Sequence, residues 1–388
     1  MDFQLSQDQE SIRAAVQRVC DQFGDDYWLE VDRSGNFPEE FVAAITEGGW
    51  LGIAMPEAYG GSGLGITEAV LLAHTIARSG ACLSGASAIH LNLFGPNPIV
   101  VFGNDEQKAR FLPPLIKGQD RACFGVTEPD AGLNTTRLST KAVRDGDDYV
   151  ITGRKMWTTT AQTANKILLI ARTTALEDCA KPTDGLTLFF TDLDRDQIEV
   201  REIEKMGRKA VDSNALFIDE LKVPGGDRIG AEGQGWQCLL HGLNPERILI
   251  ASEAVGIGQV ALEKASNYAR ERIVFDRSIG KNQGIQHPLA VNWMELEAAM
   301  LMVFKAASLY DAGQSCGAEA NSAKFLAAEA AHRACQRAVL THGGMGYAKE
   351  FHVERYLREV MIPVIAPVSQ ELIMSFIAEK VLGQEKSY

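Results

Sequence analysis

The chain has 388 residues, and its 51 acidic against 38 basic side chains give a formal net charge of −13. That charge argues against a dedicated nucleic-acid-binding protein, which usually carries net basic character or a dense basic stripe. Hydrophobic residues make up 46% of the chain, so a large core can form, and the length predicts two or three domains. A phosphorylated small ligand stays compatible with this charge, because a few local arginines and lysines can hold phosphate.

The seven cysteines are scattered, and no CxxC pair occurs among them. They predict free, mostly buried thiols in a reducing compartment rather than a disulfide framework or a zinc ribbon. Residues 1–4 do not start a basic and then apolar segment, so no secretory signal is expected. No apolar stretch approaches the roughly 20 residues that span a bilayer. We therefore expect a soluble cytoplasmic protein that binds neither membrane nor nucleic acid.

Residues 1–120 are predicted to form helices with loops between them. Ile12, Val16 and Val19 recur at helical spacing, and a second apolar stripe follows at 70–76. The glycine-rich run at 59–65 neither follows an apolar strand nor matches GxGxxG. We interpret it as a connector rather than a nucleotide-binding loop.

Between 121 and 230 the pattern changes to short runs that are typical of strands. Residues 138–144 and 149–152 flank Asp145-Gly146, a dipeptide that favours a tight hairpin turn. Further apolar runs, separated by turn residues, lie at 166–170, 186–190, 198–200 and 215–218. The pattern predicts an antiparallel β-domain, either a barrel or a sandwich, inserted into a helical protein.

From 231 to 388 the chain is predicted to be helical again. Apolar residues at spacings of three and four run from Trp293 to Tyr310 and from Phe325 to Cys335. The prediction is a mainly α, α+β protein with domains at 1–120, 121–230 and 231–388. The seven histidines form no HExxH or similar cluster, so no metal site is predicted.

Several motifs follow one another in this α, β, α frame. They include GVTEPDAG at 125–132, KMWTT at 155–159, KMGR at 205–208 and HGGMGY at 342–347. In content and order, over most of the chain, they resemble the acyl-CoA dehydrogenase family of flavoproteins. The resemblance implies an N-terminal helical domain, a middle antiparallel β-domain and a C-terminal four-helix bundle, with FAD as the cofactor.

The resemblance also implies which residues hold FAD. Threonines would give hydrogen bonds to the flavin edge, Trp157 would form an aromatic wall beside the ring, and Arg272 would contact the pyrophosphate. Paired glycines would let the backbone approach the dinucleotide closely. The expected FAD contacts are Thr127, Trp157, Thr158, Thr159, Arg272, Phe275, Gln283, Gly343, Gly344 and Ser369. The plainer alternatives are a buried strand aromatic for Trp157, a solvated helix-end Arg272 and a simple turn at the glycines.

The family's reaction removes an α-proton from an acyl-CoA thioester and needs one carboxylate as base. Most members resemble one another in a C-terminal Tyr-Glu-Gly-Thr, but here 365–370 reads IAPVSQ, with Ala366 or Pro367 in the position of that Glu. Isovaleryl-CoA and long-chain dehydrogenases place the base on a helix, directly before an arginine. This chain has Leu-Asn-Pro-Glu-Arg at 243–247, so Glu246 resembles the relocated base. The alternative is a solvated glutamate in a helical first turn.

The residues around this candidate base lead to three further expectations. Asn244 as N-cap and Pro245 at the first position predict that a helix begins there. Pro367 has no N–H with which to polarise a thioester carbonyl, whereas Ala366 would keep one, and the register stays open. The expected substrate contacts are Leu133, Asn244, Arg247, Ala366 and Pro367.

The leading hypothesis is dehydrogenation of an acyl-CoA to the 2-enoyl-CoA, with electrons passed to an electron-transfer flavoprotein. The family resemblance implies a homotetramer, in which Arg272 reaches the neighbour's FAD. Two alternatives keep the same scaffold: a flavin oxidase or monooxygenase, and a non-catalytic partner subunit of a heteromeric dehydrogenase. His90 and Asn92 interrupt an apolar stretch, and either line the acyl pocket or, more simply, are hydrogen-bonded in the core.

Overall fold

The computed structural model describes residues 4–386; residues 1–3, which entered the signal-peptide prediction, and residues 387–388 lie outside the described residues. The first part of the described chain is helical. Its helices are α1 (Gln7–Cys20), α2 (Asp25–Ser34), α3 (Glu39–Glu47), α4 (Ile66–Ile76), α5 (Cys82–Phe94), α6 (Asn97–Phe102) and α7 (Asp105–Ile116). Residues 60–65 are an irregular segment that leads into α4, with Gly63 N–H bound to Met55 O at 2.8 Å.

Local signals explain where these helices begin. Ser6 accepts a hydrogen bond from Gln9 N–H at 3.2 Å, and the Gln9 side chain accepts one from Ser6 N–H at 3.0 Å, which forms a capping box for α1. The start of α4 is capped from far along the chain, since the Asp311 carboxylate accepts the N–H of Ile66 at 2.7 Å and of Thr67 at 2.9 Å. This contact joins the first helical region to the last.

The middle region is a β-sheet. Its strands are β1 (Ala122–Gly125), β2 (Lys141–Asp145), β3 (Asp148–Thr159), β4 (Lys166–Arg172), β5 (Leu186–Asp192), β6 (Ile198–Glu202), β7 (Ser213–Val223) and β8 (Arg228–Ile229). The predicted hairpin is confirmed, because Asp145 pairs with Asp148 across a two-residue turn. The sheet order is β6-β7-β3-β2-β4-β5-β8, and β1 pairs with β4.

The prediction of a purely antiparallel sheet is wrong at one strand. Strand β4 pairs in parallel with β1 over four residue pairs, from Ala122 with Lys166 to Gly125 with Leu169, and with β2 at Lys141 and Arg172. A parallel pair needs a long connection, which the β2–β3 hairpin supplies between β1 and β4. Runs of local sequence cannot reveal such a crossover.

The last region is built on long helices. They are α8 (Gly235–Glu271), α9 (Gln283–Asp311) and α10 (Gly317–His342), with a small ribbon of β9 (Ile273–Val274) and β10 (Arg277–Ser278) between α8 and α9, and the shorter α11 (Val353–Glu359), α12 (Met361–Ile365) and α13 (Gln370–Lys380). Along α9 the predicted stripe is buried at Leu296, Val303 and Ala307, but Trp293 is 57% exposed. Regular structure changes from helix to strand between 116 and 122 and back between 229 and 235, and domain boundaries at 120 and 230 stay a prediction.

The predicted helix start at Asn244 is wrong. Helix α8 begins nine residues earlier, at Gly235, and Pro245 lies inside it. An interior proline loses one helical hydrogen bond and costs about 3 kcal/mol. Buried residues on both sides of it, including Leu239, Pro245 itself and Ile248, pack into the core, and tertiary packing of this kind outweighs local propensity.

One segment, Val353–Lys380, is long and apolar enough by composition alone to cross a membrane, so the expectation that no stretch approaches this length is wrong. The structure divides the segment into α11, α12 and α13, of which the longest has 11 residues. A membrane-spanning helix needs about 20 continuous residues.

In the described chain six cysteines are buried, Cys179 is partly buried, and all seven are free, as predicted.

Candidate active site

Glu246 lies on α8, between the buried Pro245 and the partly buried Arg247. Its Oε2 is buried and has no hydrogen-bond partner within residues 4–386. Burial raises the pKa of Glu246 from 4.5 to about 7, against the opposing influence of the His90 imidazole and the Arg247 guanidinium. An unpaired carboxyl group that titrates near neutrality has the properties of a general base.

Lys324 of α10 connects this wall to the loop that follows α12. Its ammonium group donates to Val368 O at 2.6 Å and to Val364 O at 3.4 Å. Burial lowers the pKa of Lys324 to about 8, and the nearby Arg247 lowers it further, while Glu246 opposes the shift. The structure therefore brings Glu246, Arg247 and the 365–369 loop together, although they are far apart in sequence.

Neither candidate in the loop offers a free N–H. The N–H of Ala366 donates to Ile362 O at 2.8 Å, at the end of α12, and Pro367 has none. The choice between the two registers therefore does not decide which group donates a hydrogen bond to the thioester carbonyl. Ser369 caps α13, because its Oγ accepts the N–H of Leu372 at 3.3 Å.

The end of β3 forms a second wall. Met156 N–H donates to Thr127 O at 2.8 Å, which fixes the GVTEPDAG segment beside β3. Trp157 has φ of +60° at a β-bulge and is 55% exposed, so the alternative of a buried strand aromatic is wrong. Thr158 Oγ1 is buried without a partner in the described chain, and Thr159 Oγ1 accepts from Arg208 Nη2 at 3.4 Å.

These residues fit a flavin. An exposed indole next to a buried, unpartnered hydroxyl provides an aromatic face and a hydrogen-bonding group that the protein itself leaves unused. Arg208 joins this wall to the helices, since its guanidinium also donates to Ser87 Oγ at 3.2 Å on α5. The β3 wall and the helical wall are thereby held in one arrangement.

The other predicted FAD residues lie at the opposite end of α8. Phe275 is 95% exposed at the turn of the β9–β10 ribbon, and Arg272, Gln283, Gly343 and Gly344 are also exposed. Rings of Tyr268 and His342 stack at 4.3 Å, which holds the ends of α8 and α10 side by side. The ribbon and the two glycines therefore share one end of the helical region.

This end is remote from the candidate base. Arg272 follows Glu246 by 26 positions, and a helix rises 1.5 Å per residue, so about 39 Å separate them. One dinucleotide cannot touch both within a single chain. The structure thus does not bring this subset of predicted residues to the site of Glu246. Leu133, a predicted substrate contact, lies in a turn and is 60% exposed.

Sequence reasoning missed Lys324 and Arg208, and it overlooked the spacing of a polar stripe on α5. Lys324 gave no signal, because it is an isolated lysine in an alanine-rich helix. Arg208 lay inside a recognised motif without an assigned role. On α5, Ser84, Ser87 and His90 recur every third residue in an apolar helix, a polar stripe that could have been noticed. His90 is buried and bound to Glu253, in agreement with the simpler interpretation of a hydrogen-bonded core histidine.

A cavity of about 110 Å³ lies beside Pro245. Its walls come from α4, α5, α6, α9 and the segment before the first glycine turn, and include Leu93, Phe94, Val100 and Tyr310. Glu246 does not line it. Within residues 4–386 no group of three or more metal-ligating side chains occurs.

Comparison with known proteins agrees with this architecture. Three family models match: the acyl-CoA dehydrogenase N-terminal domain at residues 6–119, the middle domain at 123–221 and the C-terminal domain at 233–382. Acyl-CoA dehydrogenase FadE12 of Mycobacterium tuberculosis is 36% identical over 99% of this chain and 98% of its own. The caffeyl-CoA reductase–Etf complex subunit CarC of Acetobacterium woodii is 34% identical over 90% of this chain and 93% of its own.

A solved structure extends the likeness to three dimensions. Butyryl-CoA dehydrogenase from Megasphaera elsdenii superposes with a TM-score of 0.93 at 29% identity, over 98% of this chain and all of that one. The three matched domains and these relatives define the class of the protein, a flavoprotein oxidoreductase. The chain belongs to the acyl-CoA dehydrogenase family, and its cofactor is FAD.

Proposed function

We propose that the protein catalyses the α,β-dehydrogenation of an acyl-CoA thioester to the 2-enoyl-CoA, with Glu246 as the base. The observation that carries this proposal is the buried Oε2 of Glu246, which has no partner among the described residues. Family membership supports it, because the dehydrogenation needs a carboxylate. The 365–370 segment contains none, and the first carboxylate after it is Glu371.

The proton chemistry follows from the environment of Glu246. A pKa of about 7 leaves a large ionised fraction at neutral pH, and it makes that fraction more basic than an ordinary carboxylate. Glu246 takes the α-proton of the thioester onto a carboxylate oxygen. Bound FAD supplies the acceptor for the β-hydrogen, which leaves as hydride. Arg247, held by Asn244 Oδ1 at 3.0 Å, supplies positive charge beside the base.

We propose that the 365–369 loop donates the hydrogen bond to the thioester carbonyl. Because the N–H of Ala366 is occupied and Pro367 has none, the next N–H along the chain is that of Val368, which has no partner in residues 4–386. The hydrogen bond from Lys324 to Val368 O keeps this residue in place. A backbone donor of this kind stabilises the negative charge that develops on the carbonyl oxygen.

The FAD contacts divide into two sets. Thr127, Trp157, Thr158 and Thr159 hold the flavin of their own subunit, whereas the ribbon end serves a neighbour's FAD. The distance of about 39 Å between Glu246 and Arg272 supports this division. Ser369 contacts FAD through its hydroxyl hydrogen, while the oxygen caps α13. The remaining contacts of the second set are Phe275, Gln283, Gly343 and Gly344.

Assembly and partners follow from this division. We propose a homotetramer that is a dimer of dimers. Exposed apolar residues in the C-terminal region support this, because contact with further copies would bury them; examples are Trp293, Leu301 and Leu340. The electron acceptor is an electron-transfer flavoprotein, as the Etf complex in the name of the Acetobacterium woodii relative suggests. The reaction belongs to fatty-acid or other acyl-CoA metabolism in the cytoplasm.

The acyl group is proposed to be branched, long or bulky. A base on α8 leaves Ala366 where other members carry a glutamate, so the pocket has more room on that side. Leu133, Asn244, Ala366 and Pro367 are the proposed contacts beside Arg247. A panel of acyl-CoAs, scored by anaerobic bleaching of the flavin absorbance, tests this, and a strong preference for butyryl-CoA would contradict it.

One preparation separates this function from its alternatives. The protein is purified alone, its flavin spectrum is recorded, and acyl-CoA is added without oxygen. Bleaching that persists until an electron-transfer flavoprotein is supplied supports the dehydrogenase. Rapid recovery of the absorbance in air, with product bound, indicates an oxidase or monooxygenase. Poor FAD retention, or bleaching only with a second kind of chain, indicates a partner subunit.

A further inference from the structure

A buried ion pair lies two turns along α8 from the candidate base. His90 Nδ1 of α5 is 2.6 Å from Glu253 Oε1 of α8. Glu253 is completely buried, and the side chain of His90 is 10% exposed. Phe94 packs edge-on against the imidazole, with ring centroids 4.8 Å apart. The proposed reaction assigns no role to either residue.

The pair and Glu246 share one face of α8. Glu253 follows Glu246 by seven residues, which is two helical turns, so the two carboxyl groups project from the same side about 10 Å apart along the axis. His90 enters from α5 and acts electrostatically on both carboxyl groups. Both members of the pair therefore influence the base: the imidazole lowers the pKa of Glu246 and the Glu253 carboxylate raises it.

Charged groups from three helices act electrostatically on Glu246. Arg247 and Glu253 come from α8, His90 from α5 and Lys324 from α10. Arg208, from the segment between β6 and β7, faces Glu253 and His90 from the sheet side. The described neighbours therefore include one anion, Glu253, that opposes ionisation of Glu246.

We propose that His90 and Glu253 act as a positioning pair that keeps Glu246 ionised at neutral pH: Glu253 holds a proton on His90, and the resulting cation stabilises the Glu246 carboxylate. The inference rests on the proposed function, because it takes Glu246 to be the base. It adds two residues that touch neither substrate nor FAD and act only through Glu246.

The charges around Glu246 explain why the pair favours its ionised form. Burial lowers the pKa of His90, but the adjacent Glu253 carboxylate outweighs burial and raises it. Burial raises the pKa of Glu246 to about 7, and His90 is the largest opposing influence. Removing His90 deletes this cation and leaves Glu253 as an uncompensated anion on the same face, and both changes favour the protonated, inactive form of Glu246.

The test is the pH dependence of anaerobic flavin bleaching by acyl-CoA, measured in the holoenzyme by rapid mixing. We expect His90→Gln to move the acidic limb of the rate profile upward by about one pH unit, in line with loss of a nearby opposite charge. The double variant His90→Gln/Glu253→Gln removes both charges and should return the limb most of the way. His287→Gln, an exposed histidine on α9, is the matched control.

Two results would overturn the inference. One is an acidic limb in His90→Gln that coincides with that of the wild type. The other is an equal shift in the single and double variants, because altered packing would then explain the effect rather than charge. A merely structural role changes the rate at all pH values and leaves the limb in place.

A second measurement does not depend on turnover. Histidine-selective isotope labelling gives the imidazole titration by NMR, with the His90 signal identified by its loss in His90→Gln, or by its response to Glu253→Gln if the first variant does not fold. We expect the pKa of His90 to lie above the ordinary value of a histidine in the wild type, because of the adjacent Glu253 carboxylate, and to fall in Glu253→Gln. A His90 that titrates at the same pH in the wild type and in Glu253→Gln would overturn the inference. If no acyl-CoA bleaches the wild type, the proposed function fails while this titration still decides the state of the pair.

Discussion

The Lys324 ammonium group lies 2.6 Å from Val368 O and joins the middle of α10 to the loop that carries Ala366 and Pro367. A charged donor to buried carbonyls contributes about 1.5–3 kcal/mol per hydrogen bond. We expect Lys324→Met to lower the free energy of unfolding by about 2 kcal/mol and to raise the KM for acyl-CoA, because the loop loses its anchor. Urea denaturation and steady-state kinetics measure the two effects.

Lys305→Met provides the control for that substitution. Lys305 lies on α9, its side chain is 58% exposed, and its ion pair with Glu319 spans 3.3 Å. An exposed pair of this kind contributes about 0–1 kcal/mol. A Lys324→Met variant that is as stable as Lys305→Met, with unchanged KM, would contradict the role of Lys324.

Glu246→Gln keeps the size of the side chain but removes its basicity. We expect the rate of flavin bleaching by acyl-CoA to fall by about 10²- to 10⁴-fold, the usual contribution of a general base, with FAD still bound. Glu263→Gln, on the exposed face of the same helix, should bleach like the wild type. Stopped-flow absorbance measures both, and undiminished bleaching in Glu246→Gln would remove Glu246 from the mechanism.

The raised pKa of Glu246 also predicts a pH-dependent stability. The folded state holds this proton with a pKa of about 7, against 4.5 for an ordinary glutamate. The contribution of the Glu246 carboxyl group to the free energy of unfolding is therefore complete below pH 4.5 and is lost as the pH rises through 7. The loss amounts to at most about 3 kcal/mol.

Because glutamine cannot ionise, Glu246→Gln escapes this loss. We expect the free energy of unfolding of the variant, relative to the wild type, to increase by about 2–3 kcal/mol between pH 5 and pH 8. Urea denaturation without acyl-CoA at both pH values measures the change. A constant difference between the two proteins would show that Glu246 titrates normally.

Exchange of residues between subunits can be tested by mixing two inactive chains. Arg272→Ala should weaken FAD retention, whereas Arg270→Ala, two residues earlier and also exposed, should not. When Arg272→Ala and Glu246→Gln chains are co-expressed, a site built from the Glu246 of one chain and the Arg272 of the other is intact. We expect bleaching to recover in about half of the sites of mixed dimers. No recovery would mean that both residues serve one site within a chain.

The α, β, α order could be predicted because it depends on local patterns. The hairpin at Asp145 and Asp148 follows from a turn dipeptide, and the buried stripe of α9 follows from helical spacing. The true course of the helix at Asn244 could not be predicted from local sequence. Asn and Pro are typical of a helix start, but the Asn244 side chain accepts a hydrogen bond from Arg247, and tertiary packing continues the helix through Pro245.

The candidate site was predicted in part for a related reason. Glu246 and Arg247 are adjacent in sequence, so a motif can reveal them. His90 and Glu253 are 163 residues apart, and Lys324 meets Val368 across 44 residues. In the sequence each member of such a pair is an ordinary polar residue, because only the folded structure brings the two together.

The place of Glu246 on a 37-residue helix has a consequence for divergence. A loop that carries the base must keep its shape whenever the substrate changes, since any shift moves the carboxylate. With the proposed base on α8, the 365–369 loop does not carry the carboxylate, and its proposed catalytic contribution is limited to the N–H of Val368. We therefore expect substitutions at Ala366 to change acyl preference in single mutational steps, while the proposed proton abstraction by Glu246 stays intact.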